Sequence, residues 1–245
     1  MKPSLTLLAM LAATLTAVDA RGQSARSTGR VYVNASGWYQ AAPTSFTGVV
    51  TPIVFVERAS IDTSYRIRSA AGFDVGGGVR VWRNLGVGLD VSRFTRAGGG
   101  SVTAQVPHPF YFNRLRPVTG DAPGLEREET GIHAQVLLMM PIAARWQVGL
   151  SGGPSWLTVG QDLVQTVTIT ESYPYDTATF AGITSAHRTG SRVGFNAGAD
   201  IAYMFTPRVG VGLTAGFSRA RIPLDDTVTI NAGGAHVGGG IRLRF

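Results

Sequence analysis

Two short patterns in this chain bring together groups that can do hydrolytic chemistry. In "TSAHRT", Ser185 and His187 place a hydroxyl and an imidazole two residues apart, the elements of a nucleophile and its base. Asp225 and Asp226 set two carboxylates side by side, the kind of pair that activates water. Both are incomplete. No carboxylate motif accompanies the serine and histidine to orient the base, and no Asp-x-His sequence accompanies the two aspartates. They read as solvated loop residues, and no catalytic residue is expected.

Other reactive chemistry is excluded more simply. The chain has no cysteine and only 4 histidines, scattered without ligand-like spacing, so neither a thiolate nor a metal centre is expected. Glycine runs at 76–78, 98–100 and 238–240 suggest phosphate cradles. The only lysine is Lys2, however, and no run leads into a helix, so no nucleotide or other cofactor is expected. Charged residues make up 15% of the 245, the net charge is +7, and the arginines are spread without a basic run, which argues against nucleic acid as a partner.

The remaining candidate chemistry is a set of charges buried inside a barrel, and the elements that would position it are strands. Residues 1–20 form an export signal. Lys2 is followed by the apolar run Leu5–Leu15 and by small residues ending at Ala20, with Ala25 as the second choice for cleavage. After a short segment, 21–29, residues 30–245 read as one domain. Eight strands are expected at about 30–40, 66–82, 86–95, 130–140, 146–158, 192–205, 209–219 and 233–245, each near the length that crosses a bilayer when tilted. Tight turns alternate with long connections at about 41–65, 97–129, 159–191 and 220–232. Asp162–Tyr173 and Gly48–Glu57 keep β-like alternation within those connections. They would form an extracellular hairpin, offer an open edge to a partner, or raise the count to ten.

The two faces of each strand differ. In the sixth, Val193, Phe195, Ala197, Ala199, Ile201, Tyr203 and Phe205 share one parity, and Gly194, Asn196, Gly198, Asp200 and Ala202 the other. The second parity, rich in glycine and small polar residues, suits a narrow lumen, so the apolar parity is assigned to lipid. That assignment turns Asp74, Arg80, Asp90, His133, Asp200, His236, Arg242 and Arg244 inward as a charge network closing the lumen, because an isolated ion there costs several kcal/mol. Arg242 and Arg244 are expected to pair with Asp74, Asp90 or Asp200. Trp38, Tyr39, Trp82, Trp146, Trp156, Tyr203, Phe205 and Phe217 are expected in two aromatic belts at the lipid–water interfaces. Strict alternation turns Trp82 inward unless a bulge intervenes.

These features resemble the small OmpA/OmpX-like outer-membrane barrels over nearly the whole stretch 30–245. The closing strand carries the most specific likeness: Val237, Ile241, Leu243 and Phe245 on one parity, which in that family is read by the barrel-assembly machinery as an insertion signal. The likeness departs where a peptidoglycan-binding domain would follow. It implies an all-β, antiparallel up-and-down barrel in the outer membrane of a Gram-negative-type envelope, with both termini periplasmic and lipid and lipopolysaccharide around it. Arg58, Arg96, Arg114 and Arg116 are candidates for lipopolysaccharide phosphates. A structural or surface-interaction role, with an extracellular partner met by the long loops, is the expected function. A narrow channel for small or apolar solutes is the alternative. A rim-located lipid hydrolase of the lipid A deacylase kind, using Ser185 and His187, is the third.

Overall fold

The computed structural model describes residues 30–40, 44–225 and 227–245; the export signal and the 21–29 segment lie outside them. The described residues form twelve strands: β1 (Val31–Gln40), β2 (Thr44–Val50), β3 (Ile53–Val54), β4 (Glu57–Arg58), β5 (Ser60–Ile67), β6 (Ala71–Trp82), β7 (Leu85–Pro107), β8 (Leu115–Pro141), β9 (Trp146–Glu171), β10 (Ala178–Met204), β11 (Val209–Pro223) and β12 (Thr229–Arg244). Eight of them, β1 and β6 to β12, close an antiparallel ring, because β1 pairs with both β6 and β12. Phe245 and Val31 exchange backbone hydrogen bonds of 2.8 and 3.0 Å at the seam. No helix among the described residues is long and apolar enough to cross a membrane.

The strands run far beyond the lengths expected from sequence. β8 and β10 each have 27 residues, where about 9–11 cross a bilayer. The connections assigned to 97–129, 159–191 and 220–232 are therefore largely strand. Periodicity is continuous through them, but the chemistry of the two faces exchanges. On β11 the outward residues Val209, Val211, Leu213, Ala215 and Phe217 give way to Arg219 and Arg221, while inward Gly210, Gly212, Thr214, Gly216 and Ser218 give way to buried Ala220 and Ile222. On β12 outward Val237 and Ile241 lie below Thr229 and Asn231, and inward His236 and Gly238 lie below Ile230 and Ala232.

This exchange marks where lipid ends and water begins. The pairing register carries it round the ring: Phe73, Val91, Ile132, Trp156, Phe195 and Phe217 stand near one level, and Arg93, Thr130, Thr158 and Arg219 occupy outward positions above them.

Above that level β1 and β6 stop, and β5 and β2 replace them by pairing in turn onto the projecting half of β7. The ring thus has eight strands, and the upper sheet gains two. β8 and β9 part above the Arg127–Gln161 pair, and β10 and β11 above the Phe195–Arg219 pair. The upper storey is held instead by side chains. One apolar core joins Ile61, Tyr65, Val102, Ala104, Val118, Leu125, Val159, Leu163, Ile222 and Ile230 from β5, β7, β8, β9, β11 and β12. Tyr65 stacks on Phe46 at 4.4 Å, and its hydroxyl accepts the Val164 N–H at 2.8 Å. Glycines let the parted strands close up. A Cβ at Gly190 would meet the Pro223 carbonyl at 2.6 Å, and one at Gly120 would run into the Phe180 ring.

The lipid face and the watery face are separable by experiment. Leu213→Arg should cost about 2–4 kcal/mol near the bilayer midplane. Thr229→Arg, outward on the upper storey, should stay within about 0.5 kcal/mol of the parent. Denaturant unfolding of the barrel in lipid vesicles measures both, and equal costs would place the boundary elsewhere.

Candidate functional site

Two regions concentrate functional groups: the lumen within the membrane band, and the tips of the upper storey.

All eight positions expected to form the charge network have inward parity, yet the contacts differ from those expected. Arg242 reaches Asp200, with Nη2 at 2.5 Å and Nε at 3.1 Å from Oδ2, and its Nη1 donates to Ser36 Oγ at 2.9 Å. Gly212 makes room for this bridge: a Cβ there would lie 2.9 Å from Arg242 Nε and 3.0 Å from Asp200 Oδ2. Arg244 donates to Gln147 and not to an aspartate. It pairs across from Tyr32, one inward position nearer the turns than Arg242. Asp74 and Asp90 are joined by the Asn34 amide, at 3.3 and 3.2 Å. His133 hydrogen-bonds Ser92 at 2.9 Å and Ser155 at 2.7 Å, and Ser155 accepts from Asn196 at 2.9 Å. His236 lies against the Trp38 ring at 5.2 Å. Arg80 follows Asp74 on the same inward parity near the turn.

Trp38 is a correction. Expected in the outer aromatic belt, it is 8% exposed and packs edge-on against buried Phe94 at 5.8 Å, inside the barrel. Its parity is that of Ser36, and its strand neighbours on either side are Gly72 and Gly238, whose missing side chains leave space for an indole. Tyr39, Trp82, Trp146, Trp156, Phe205 and Phe217 are exposed on the outside, and Tyr203 lies half-buried between Trp146, at 5.0 Å, and Phe205, at 5.4 Å. A bulge between Arg80 and Trp82 swings that indole outward under Arg83. Val237, Ile241 and Phe245 are exposed on the outer face and Leu243, of the same parity, is half-buried.

The lumen retains a cavity of about 180 Å³ lined by Asn34, Asp74, Asp90, His133, Asp200 and His236 among others. Trp38, Phe94 and Glu129 line its upper part, and Glu129 belongs to an ion pair within the connection expected at 97–129. Buried Arg127 donates to Glu129 Oε1 at 2.5 and 2.7 Å and to the Asn231 carbonyl at 2.8 Å, and Glu129 Oε2 accepts the Gly233 N–H at 2.8 Å. Gly233 has φ +80°, a conformation that favours glycine and turns this N–H toward the carboxylate. Arg-x-Glu at one parity, continuing the inward face of β8, was the available signal.

Among the described residues His187 takes carboxylate partners, and no hydrogen bond joins it to Ser185. His187 Nδ1 bonds Asp162 Oδ1 at 2.9 Å and its Nε2 lies 3.8 Å from Glu128, which also meets Arg93 at 3.3 Å. The imidazole is thus a tie between strands on the outer wall, over Gly160. Asp225 Oδ1 accepts the Thr227 and Val228 N–H groups, at 2.9 and 2.7 Å, which closes the β11–β12 turn; Asp226 lies outside the described residues. Burial raises the Asp225 carboxyl, but these hydrogen bonds outweigh it and hold it below the ordinary carboxylate range.

At the far end three tips meet. Arg116, buried, donates to Glu171 at 2.6 Å, to the Tyr175 carbonyl at 2.9 Å and to the Pro107 carbonyl at 2.9 Å, tying the β7–β8 tip to the β9–β10 tip. Arg114 meets Asp176 at 2.9 Å, and buried His108 Nδ1 accepts the Phe110 and Tyr111 N–H groups. Glu57 accepts the Asn113 N–H at 2.9 Å, which adds the β3–β4 hairpin. Of the arginines expected to meet lipopolysaccharide, Arg114 and Arg116 therefore brace the tips, far from the membrane.

No family model matches this sequence, and no curated protein matches it. Among solved structures, Neisserial surface protein A aligns at 12% identity and TM-score 0.48, covering 88% of this chain and 97% of the other. The outer-membrane protein OprG from Pseudomonas aeruginosa aligns at 8% and 0.45, covering 89% and 96%. The outer-membrane protease OmpT from Escherichia coli aligns at 7% and 0.43, covering 92% and 99%. Such likeness says nothing of a shared role. The closed ring and its lipid-facing band make the chain an outer-membrane-type β-barrel.

Asp200→Ala should strand Arg242 and cost about 1.5–3 kcal/mol, the range for a charged hydrogen bond. Adding Arg242→Leu should restore part of it. A double-mutant cycle in vesicles measures the coupling, and additive costs would dissolve the pair.

Proposed function

We propose that this barrel is a display scaffold: a closed transmembrane ring that holds a braced β-platform outside the cell for contact with an external surface. The observation that carries this reading is the upper storey's own apolar core. Burying that many apolar side chains beyond the lipid is a fold in its own right, driven by water as in a soluble protein. A chain needing only a pore would not require it. Orientation follows from the turns: the tight turns and both ends of the ring lie on one side, read as periplasmic, and the upper storey lies on the other.

The lumen serves this role as a closed support. Arg242–Asp200 crosses it near the turns, the Arg127–Glu129 pair and Trp38–Phe94 stand near the outer interface, and the apolar core lies beyond. An eight-stranded ring has room for little more than its own side chains. The cavity runs along the lumen past these layers without, in this reading, forming a through-pore, and the barrel neither conducts nor catalyses.

Two measurements test it. In planar bilayers the reconstituted barrel should give no resolved conductance steps; steady channels would favour the solute-channel alternative. On intact cells Thr229→Cys should react with a membrane-impermeant maleimide while Ala144→Cys, in the β8–β9 turn, reacts only after lysis. The reverse pattern would invert the orientation and remove the display reading.

A further inference from the structure

The β3–β4 hairpin turns through Phe55 and Val56, both with positive φ, +48° and +68°. A two-residue turn of this kind favours Asn-Gly, and a β-branched residue with positive φ is strained by roughly 1–3 kcal/mol. Val56 is nevertheless 91% exposed. Here the sequence keeps two apolar side chains where folding alone favours small or polar ones. The neighbouring tips repeat the choice. Phe110, Tyr111 and Phe112 on the β7–β8 tip are 68%, 58% and 76% exposed, and Tyr173 on the β9–β10 tip is 83% exposed. Phe110 packs on Tyr175 at 5.4 Å, and Tyr175 on Tyr173 at 6.2 Å, so the rings of two tips form one cluster.

Charge around the cluster is largely paired. The carboxylates of Glu57, Glu171 and Asp176 are all engaged within the platform, by the Asn113 N–H, Arg116 and Arg114 respectively. Exposed Arg58 follows the strained turn, and half-exposed Arg114 lies over the Tyr111 ring at 5.4 Å. The outermost groups are thus apolar or aromatic; behind them Arg58 is exposed, Glu171 is largely covered, and half-exposed Asp176 is paired with Arg114.

We infer that the three tips dock on a phospholipid bilayer of an apposed surface. Phe55, Val56, Phe110, Phe112 and Tyr173 enter its interface, and Arg58 meets a lipid phosphate. The chemistry is that of interfacial binding: apolar area buried at the headgroup–acyl boundary, amphipathic rings at its edge and cations facing phosphate. A protein surface would suit the apolar rings as well, but the pairing of each tip carboxylate within the platform, with exposed Arg58 beside the strained turn, suits a surface that presents phosphate. The braces at Arg116, His108 and Glu57 order the tips beforehand, so docking does not pay for ordering them. This inference rests on the display reading, because the tips must face outward.

The test uses the full chain in nanodiscs and vesicles of phosphatidylcholine, alone or mixed with phosphatidylserine, in a flotation assay. The parent should float with both, more strongly with the anionic mixture. Replacing the turn by Phe55→Asn with Val56→Gly relieves its strain and so spares the fold. That pair, and separately Phe110→Ser with Phe112→Ser, should each weaken binding about tenfold or more, since one buried apolar side chain is worth about that factor. Binding to anionic vesicles alone, lost with Arg58→Ala but unchanged in the tip variants, would overturn insertion. Concentration-dependent dimerisation that the tip variants abolish, without vesicle binding, would assign the tips to a second copy and overturn it too. Because the chain has no cysteine, Val56→Cys separates the two levels of inference. Labelling on intact cells with no vesicle binding defeats the lipid partner alone, whereas no labelling defeats the display reading beneath it.

Discussion

The hydrogen bonds that join β1 to β12 are the constraint on which everything else depends. In hydrocarbon a strand edge has no water to satisfy it, so an open sheet cannot exist at that depth and the ring has to close. Closure with eight strands sets a lumen so narrow that large inward side chains need empty neighbours. The glycines supply them. Trp38 lies beside Gly72 and Gly238, the Arg242–Asp200 bridge crosses Gly212, and the His133 and His236 rings lie over Gly131 and Gly216. The abundant inward glycine is the counterpart of a few bulky polar groups.

The same strands continue into water and obey the opposite rule there. In lipid the outside is apolar and the inside polar; beyond Phe217 the outside carries Arg219 and Arg221 and the inside Ala220 and Ile222. No change of parity is needed, only an exchange of residue types, because each solvent covers a different face. Freed from the need to satisfy every strand edge internally, the sheet can part between β8 and β9 and between β10 and β11. Cohesion passes from backbone hydrogen bonds to the buried apolar core. Arg127 and Glu129 stand at that transition, and their charges are matched to each other and to backbone groups of β12.

Organisation at the tips has a cost that the rest of the fold must cover. Arginine and histidine side chains are buried at Arg116 and His108, and four residues at the tips, Phe55, Val56, Asn113 and Tyr175, hold positive φ. These are expensive features in a region exposed to solvent, where short polar turns would be cheaper. They are sustained because the upper core fixes the three tips relative to one another. This explains why a long, well-packed storey stands between the membrane and the exposed rings.

The sequence by itself determined the membrane-band strands, their inward and outward faces and the tight turns, because a period of two with lipid on one side leaves a pattern readable from neighbours alone; whether eight or ten strands close the ring was left to the tertiary structure. Inward parity for Asp74, Asp90, Asp200, Arg242 and Arg244 followed from the same rule. Their partners did not. Which charge meets which depends on register across the lumen, and only the tertiary structure decided that Arg242 takes Asp200, that Arg244 takes Gln147 and that an asparagine joins Asp74 to Asp90. The upper storey was hidden for a related reason. Where the faces exchange, a pattern read with lipid outside looks broken at Gly98–Gly100 or Arg219, and the strands beyond were assigned to loops. Trp38 went inward because two glycines from other strands make space for it, and Phe110 meets Tyr175 because a buried arginine draws distant turns together. Contacts between residues far apart in the chain carry no local signature, so the folded barrel alone decided them.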